Sequence, residues 1–350
     1  MKRNGLIRMA MVLFMGFALS ICVFTPGFAQ KTAKPIELSF AHVVPSTVPF
    51  AKTYQEWGNR IAERSGGRVK INFYWVESLL KSTEMYRGVQ TGTADIGFYP
   101  FGHDQGLMPL TEIFLMPFLG YPSQKAATEI YKKLKDKFPA IRDEFQGVKA
   151  VATEFLPGHH LNFTDRTIRV PAEIKGLKVA VMGLSMVEGM SALGAVPIEM
   201  GAGDYYVSVD RGLIRGVINH LPLLHSFGLL PVLKHHTLFG AGIAMAPSFV
   251  IMAPRTWQRL PADIQQIIEE AGLWLEQSLF VSDAGYEAMV MGKMKEMGHT
   301  ITMATPEEIK LWQKAVQPVH DKMIAEREAK GLPARAIYKD LKQLISEYSK

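Results

Sequence analysis

From residue 36 onward the chain alternates between two hydrophobic periods. Ile36–Val43 is apolar at every second position, as a half-buried strand is, and the next segment sets Tyr54, Trp57 and Ile61 at helical spacing until Ser65-Gly66-Gly67 stops it. The strand Arg68–Trp75 then completes a β-α-β unit. The alternation continues with a helix near Thr83–Gln90, a strand Asp95–Tyr99, a helix Ser123–Lys137 and a strand Gly147–Phe155. A second run follows: strand Lys178–Met182, helix Met186–Leu193, strand Val196–Ile198, helix Asp204–Arg211 and strand Val217–His220. Strands that alternate with helices predict an α/β fold whose sheets are mostly parallel and covered on both faces. Two such runs in 350 residues predict two lobes, since one core of that size would be unusually large.

Leu260-Pro261-Ala262-Asp263 reads as a helix start, and the helical pattern runs on to about Met297 with Gly272 and Gly285 inside it. At 1.5 Å per residue such a helix spans roughly 50 Å, more than one lobe, so it is expected to bridge both. Thr305–Lys330 and Pro333–Tyr348 form a charged helical tail broken at Gly331-Leu332-Pro333.

The N-terminus has a different pattern. Lys2, Arg3 and Arg8 precede an uncharged run from Met9 to Phe24, and Gly27 and Ala29 are small residues just beyond it. This is the form of a secretory leader, expected to be cleaved after Ala29, and the run is shorter than the roughly 20 residues that cross a bilayer. Periplasmic location follows from that reading. Ile21 stands before Cys22 where a lipoprotein would need a small residue, and loss of Cys22 with the leader leaves a chain without cysteine. The formal net charge is +6, half of it from the three leader cations, which is too little for a nucleic-acid footprint.

Catalytic constellations are missing from the sequence. It has no Gly-rich phosphate loop, no Gly-x-Ser-x-Gly elbow and no His-Glu-x-x-His, and Gly240-Ala241-Gly242 lacks the third glycine of a dinucleotide fingerprint. No enzymatic activity and no cofactor are expected. His159, His160, His220, His225, His235 and His236 cluster in the middle third. Adjacent histidines on a strand point to opposite faces, so these pairs are not ready metal sites. A secreted metal-binding or sensory protein that uses them is the alternative reading.

Several motifs carry a resemblance. Ala41-His42-Val43-Val44-Pro45, Ser65-Gly66-Gly67-Arg68-Val69, Gln90-Thr91-Gly92-Thr93-Ala94-Asp95-Ile96-Gly97, Leu115-Met116-Pro117-Phe118-Leu119, Val170-Pro171-Ala172-Glu173-Ile174-Lys175-Gly176-Leu177-Lys178-Val179 and Leu193-Gly194-Ala195-Val196-Pro197 occur in this order. Together they resemble the extracytoplasmic solute receptors of tripartite ATP-independent periplasmic (TRAP) transporters, the DctP-type family. The resemblance implies a two-lobe periplasmic-binding-protein-like fold with hinge strands and a lobe-bridging helix. It further implies a ligand buried between the lobes and delivery to a two-subunit membrane permease. The lobes are expected to comprise residues 30–157 with 244–284, and residues 158–243 with 285–350.

The ligand site departs from the family pattern. The arginine expected two residues after Lys178, which would take a ligand carboxylate with two hydrogen bonds, is Ala180. The second arginine of some members, twenty residues earlier, is His160, and the usual Asp-Gly that opens the next strand is Arg215-Gly216. Asn219 matches the family's ligand-contacting asparagine. Trp75, and Tyr99 with Phe101 and His103, follow strands whose carboxyl ends face the cleft, where ligands of open α/β sheets bind. His42 and Met182 complete the candidate set. Aromatic walls with His160, Asn219 and Arg215 predict an aromatic or apolar monocarboxylate rather than a C4-dicarboxylate, with His160 as the first-ranked anchor.

Overall fold

The period-two segments pair into two sheets. The structure, a computed structural model, describes residues 34–102 and 106–350. The expected leader, its cleavage after Ala29, Cys22 and His103 lie outside those residues.

The first sheet contains β1 (Ile36–Ala41), β2 (Val69–Tyr74), β3 (Ile96–Pro100), β4 (Lys149–Phe155) and β10 (Pro247–Met252), in the order β2-β1-β3-β10-β4. The second contains β5 (His160–Phe163), β6 (Lys178–Val181), β7 (Val196–Glu199), β8 (Gly216–Asn219), β9 (His235–Leu238) and β11 (Thr300–Met303), in the order β11-β9-β5-β8-β6-β7. The helices are α1 (Pro49–Arg64), α2 (Met85–Thr91), α3 (Gln124–Lys137), α4 (Pro139–Asp143), α5 (Leu184–Ala192), α6 (Tyr205–Asp210), α7 (Leu221–Ser226), α8 (Pro254–Arg259), α9 (Ala262–Glu296), α10 (Pro306–Glu328) and α11 (Ala334–Tyr348).

Most strand pairs are parallel, as the alternation predicts. The exceptions are β10, antiparallel to β3 and β4, and β5, antiparallel to β8 and β9. Both follow directly on a strand of the other sheet, with no helix between to turn the chain around. The two crossing segments pair with each other on the way. Leu156 N–H donates to Ala246 O, His159 N–H to Ala244 O and Ile243 N–H to His159 O, each at 2.8 Å. Their backbones also meet at a glycine pair: a Cβ on Gly242, whose φ is +111°, would lie 2.4 Å from the Gly158 Cα. No other residue type fits both positions without moving the strands. These are the hinge strands.

The long helix α9 joins the two halves. Its buried stripe, Ile264, Ile268, Ala271, Leu275, Leu279, Asp283, Tyr286, Val290 and Met294, keeps helical spacing throughout. The part from Ile264 to Leu279 packs with Trp57, Phe40 and Val250 on the first sheet, and the part from Tyr286 to Met294 packs with Val217, Leu221 and Leu233 on the second. In the tail, α11 rests on α3 and α10, and α10 rests on α5, so this segment touches helices of both layers. Among the described residues no helix is long and apolar enough to cross a membrane.

Candidate functional site

The carboxyl ends of β1, β3, β6 and β8 point toward one narrow cleft between the sheets. From the first sheet it is lined by Val43, Val44, Phe98, Pro100, Glu154, Leu156 and Pro157. Met182, Tyr205, Asn219, His220, Leu223 and Phe227 face it from the second, Phe50 from α1, and Leu279 and Asp283 from α9. The period of β3 decides which aromatic ring enters. Phe98 and Pro100 face the cleft, whereas Tyr99 and Phe101 turn to the opposite face and pack on each other and on Phe249 in the core.

The candidate residues therefore separate. Met182 and Asn219 line the cleft, and Tyr99 and Phe101 do not. His42 and Trp75 stand behind the wall. The His42 ring stacks on Phe98 at 4.5 Å and lies 5.1 Å from Trp75, which in turn stacks on Phe73. Arg215 is exposed and precedes β8, and its backbone N–H donates to Lys178 O. That is the amino end of a strand whose carboxyl end reaches the cleft at Asn219, so the strand's length separates the two. His160 is buried on a separate cavity beside the crossing segments, with Nδ1 accepting from Phe239 N–H at 3.3 Å and Nε2 3.8 Å from Glu287. His160 is thus the register partner of Asn219 across β5 and β8 but lines a different cavity from Asn219 and Met182. Ala180 is fully buried, in the same apolar cluster as Tyr205 and Val217.

Among the lining residues there is no lysine or arginine, and three carboxyl groups are present: Glu77, Glu154 and Asp283. Glu154 accepts from the Tyr54 hydroxyl at 2.8 Å, and Asp283 accepts from Gln124 Nε2 at 2.6 Å. Burial is the main cause that pushes both acids toward the protonated form, Asp283 to about 7, and Glu154 is raised further by its closeness to Asp283. Asn219 Oδ1 accepts from His220 N–H at 2.9 Å, while its Nδ2 makes no hydrogen bond of normal geometry beside the Tyr205 hydroxyl. Burial raises Tyr205 to about 12, so it stays neutral. At the mouth, Val76 and Glu77 both hold positive φ, 56° and 54°, a costly conformation for a β-branched residue. Glu77 uses one oxygen there to accept from Ser82 N–H at 2.9 Å.

Sequence reasoning missed Phe98, Tyr205, Glu154 and Asp283. Asp283 had a legible signal, because it is the acid on the apolar stripe Leu279, Tyr286, Val290 of the long helix.

The histidines of this region are held neutral. Burial lowers His42 and His159 to about 3 and His220 well below its ordinary value. A folded-state value below 6.5 means that the stability contributed by the neutral ring is fully present above pH 6.5 and is lost as pH falls toward 3. His42 is ringed by aromatic side chains, its Nε2 has no partner and its Nδ1 accepts only a long hydrogen bond, 3.3 Å, from Val44 N–H, so phenylalanine keeps the ring contacts and gives up that one bond at both pH values. His42→Phe is expected to gain about 2 kcal/mol relative to the wild type between pH 7 and pH 5. Urea denaturation of both proteins at the two pH values measures this, and parallel losses would show that His42 is not held neutral. Among the described residues no group of three or more His, Cys, Asp or Glu side chains is placed to hold a metal ion.

Comparison with known proteins agrees with this architecture. The chain is 26% identical over 320 residues to the C4-dicarboxylate-binding periplasmic protein DctP of Rhodobacter capsulatus, covering 89% of this chain and 91% of that one. It is similar in fold to a TRAP solute-binding protein from a marine metagenome, specific for aromatic acid ligands and solved with 3-hydroxybenzoate. The TM-score is 0.85 at 22% identity, over 91% of this chain and 100% of the other. A TRAP solute-binding protein of Chromohalobacter salexigens with bound D-glucuronate superposes with a TM-score of 0.79 at 20% identity, over 88% and 99% of the two chains. Residues 40–327 match the family described as bacterial extracellular solute-binding protein, family 7, so the chain belongs to the DctP family, the periplasmic, non-enzymatic solute receptors of TRAP transporters.

Proposed function

We propose that the protein captures a small organic acid with an aromatic or otherwise apolar body in this cleft and passes it to the membrane subunits of a TRAP permease. The observation that carries the reading is the cleft's composition: Phe50, Phe98, Met182, Leu223 and Phe227 form its walls, and no lysine or arginine lines it among the described residues. Apolar walls with a few placed polar groups bind small molecules through the ligand's body. A C4-dicarboxylate, with two charges on four carbons, would have to bury both where no cation meets them, at a cost of several kcal/mol. The aromatic-acid specificity of the metagenomic relative supports the same choice. In this reading Phe98, Met182, Tyr205 and Asn219 contact the ligand, residues 30–157 with 244–284 and 158–243 with 285–350 move as the two lobes, and the leader is removed after Ala29.

Ligand that binds only the folded protein stabilises it by RT ln(1 + [L]/Kd), about 2.7 kcal/mol at a hundredfold excess over Kd. A thermal-shift screen of aromatic and aliphatic acids should show such a rise for benzoate-like compounds and none for succinate or malate. A shift with the dicarboxylates and none with the aromatic acids would sink the proposal.

A further inference from the structure

Two of the three carboxyl groups that line the cleft, Asp283 and Glu154, are buried, at 5% and 6% exposed. Each has one oxygen committed, Asp283 Oδ2 to Gln124 and Glu154 Oε1 to Tyr54, which leaves Asp283 Oδ1 and Glu154 Oε2 for other partners. Among the described residues no lysine or arginine lines the cleft to let both ionise. Lys132 is bound to Glu276 at 2.5 Å, and the other Glu276 oxygen accepts from Thr153 N–H. Two buried carboxyls in such a place keep at least one proton between them. The remaining titratable groups around the pair are Tyr54 of α1, Glu276 and Glu287 of α9, and His160 of β5, which faces Glu287. Tyr205, His220 and Glu77 lie elsewhere on the cleft. An independent feature points to what the cleft receives: Asn219, 1% exposed, holds its Nδ2 beside the Tyr205 hydroxyl without a hydrogen bond of normal geometry, a donor left with capacity for an acceptor on the ligand.

Building on the receptor reading above, we propose that Asp283, with Glu154 beside it, keeps a proton in the cleft and donates it as a hydrogen bond to the ligand's carboxylate, with Asn219 as a second donor. The proton comes from solvent and stays on the protein. The ligand enters as its anion and is paired acid to carboxylate, in place of the ion pair that Ala180 cannot form. Because Asp283 ionises near pH 7 in the empty cleft, binding of an acid takes up a proton above that pH and weakens as pH rises. The ligand's own carboxylate is ionised throughout the range.

The test is isothermal titration of the wild type and Asp283→Asn with 3-hydroxybenzoate and with phenylethylamine at pH 6 and pH 8. The wild type should bind the acid about tenfold more tightly at pH 6 than at pH 8, as follows from an ionisation near 7. Asp283→Asn, whose amide copies the protonated acid, should bind it equally at both pH values and about as well as the wild type at pH 6. A second measurement needs no variant: titration of the wild type at pH 8 in buffers of different ionisation enthalpy should show net proton uptake. Zero uptake, an unchanged affinity between pH 6 and 8, or loss of acid binding in Asp283→Asn overturns the proposal. So does tighter binding of phenylethylamine that grows with pH, which would make the carboxyls a cation site. If neither probe nor any other acid binds the folded protein, the receptor reading itself fails and the anchor with it; acid binding without pH dependence removes the anchor alone.

Discussion

Gly272→Ala is expected to destabilise the protein by about 3 kcal/mol, and Gly285→Ala in the same helix to stabilise it by about 0.5–1 kcal/mol. Both glycines weaken α9 equally by intrinsic propensity, so each alanine brings the same gain of up to 1 kcal/mol. Their surroundings set the sign. A Cβ on Gly272 would lie 2.0 Å from the Val151 carbonyl oxygen, a backbone atom of β4 at the point where its register against β10 shifts. Backbone cannot step aside as a flexible side chain can, and either the helix or the strand must shift. Around Gly285 nothing lies within 4 Å of the added atom. Urea denaturation of the two variants reads the difference, and a Gly272→Ala protein as stable as the wild type would mean that α9 does not approach β4 this closely.

Trp57→Ala is expected to lower stability by about 3–5 kcal/mol. Trp57 is fully buried between α1 and the first sheet, with its ring edge-on to Phe40 at 5.7 Å. Its Nε1 has no hydrogen-bond partner, so the substitution forfeits packing alone and leaves no polar group newly stranded. The cavity lies under the half of α9 that packs on the first sheet, where α1 and α9 are in direct contact and Arg64 pairs with Glu270. The surrounding strand and helices are too constrained to collapse into it. A loss below 1 kcal/mol in the urea midpoint analysis would contradict the packing described for this lobe.

The elements that the sequence disclosed are those whose two faces differ. α1 shows it in Tyr54, Trp57 and Ile61, and α9 ends at Glu296, next to the position its pattern predicts. The elements it concealed are buried on both faces. All six residues of β10, Pro-Ser-Phe-Val-Ile-Met, are buried between β3 and β4, and such a strand leaves no alternation to read. β5 and β9 are short and likewise enclosed, and their antiparallel sense follows from the crossings, which depend on tertiary pairing. The site was half legible for the same reason. Asn219 and Met182 end strands that the sequence places at the cleft, whereas the choice between Phe98 and Tyr99 depends on which face of β3 is turned inward, and both faces of β3 are buried. His160 and Asn219 are register partners on β5 and β8, so the sequence was right that they are neighbours in the sheet. They nonetheless line different cavities.

The position of β10 also sets the order in which the molecule can assemble. β3 and β4 have no hydrogen bonds to each other; they are joined only through β10, which is made after the whole run from β5 to β9. During synthesis the first sheet therefore exists as two unlinked pieces until residues 247–252 emerge. The pairing that unites them spans much of the chain, which makes folding late and slow, because the entropy of closing so long a loop is paid before any contact returns it. For a receptor that works beyond the membrane, this late closure favours a chain that can still be threaded through a translocation channel, and completes the fold on the far side.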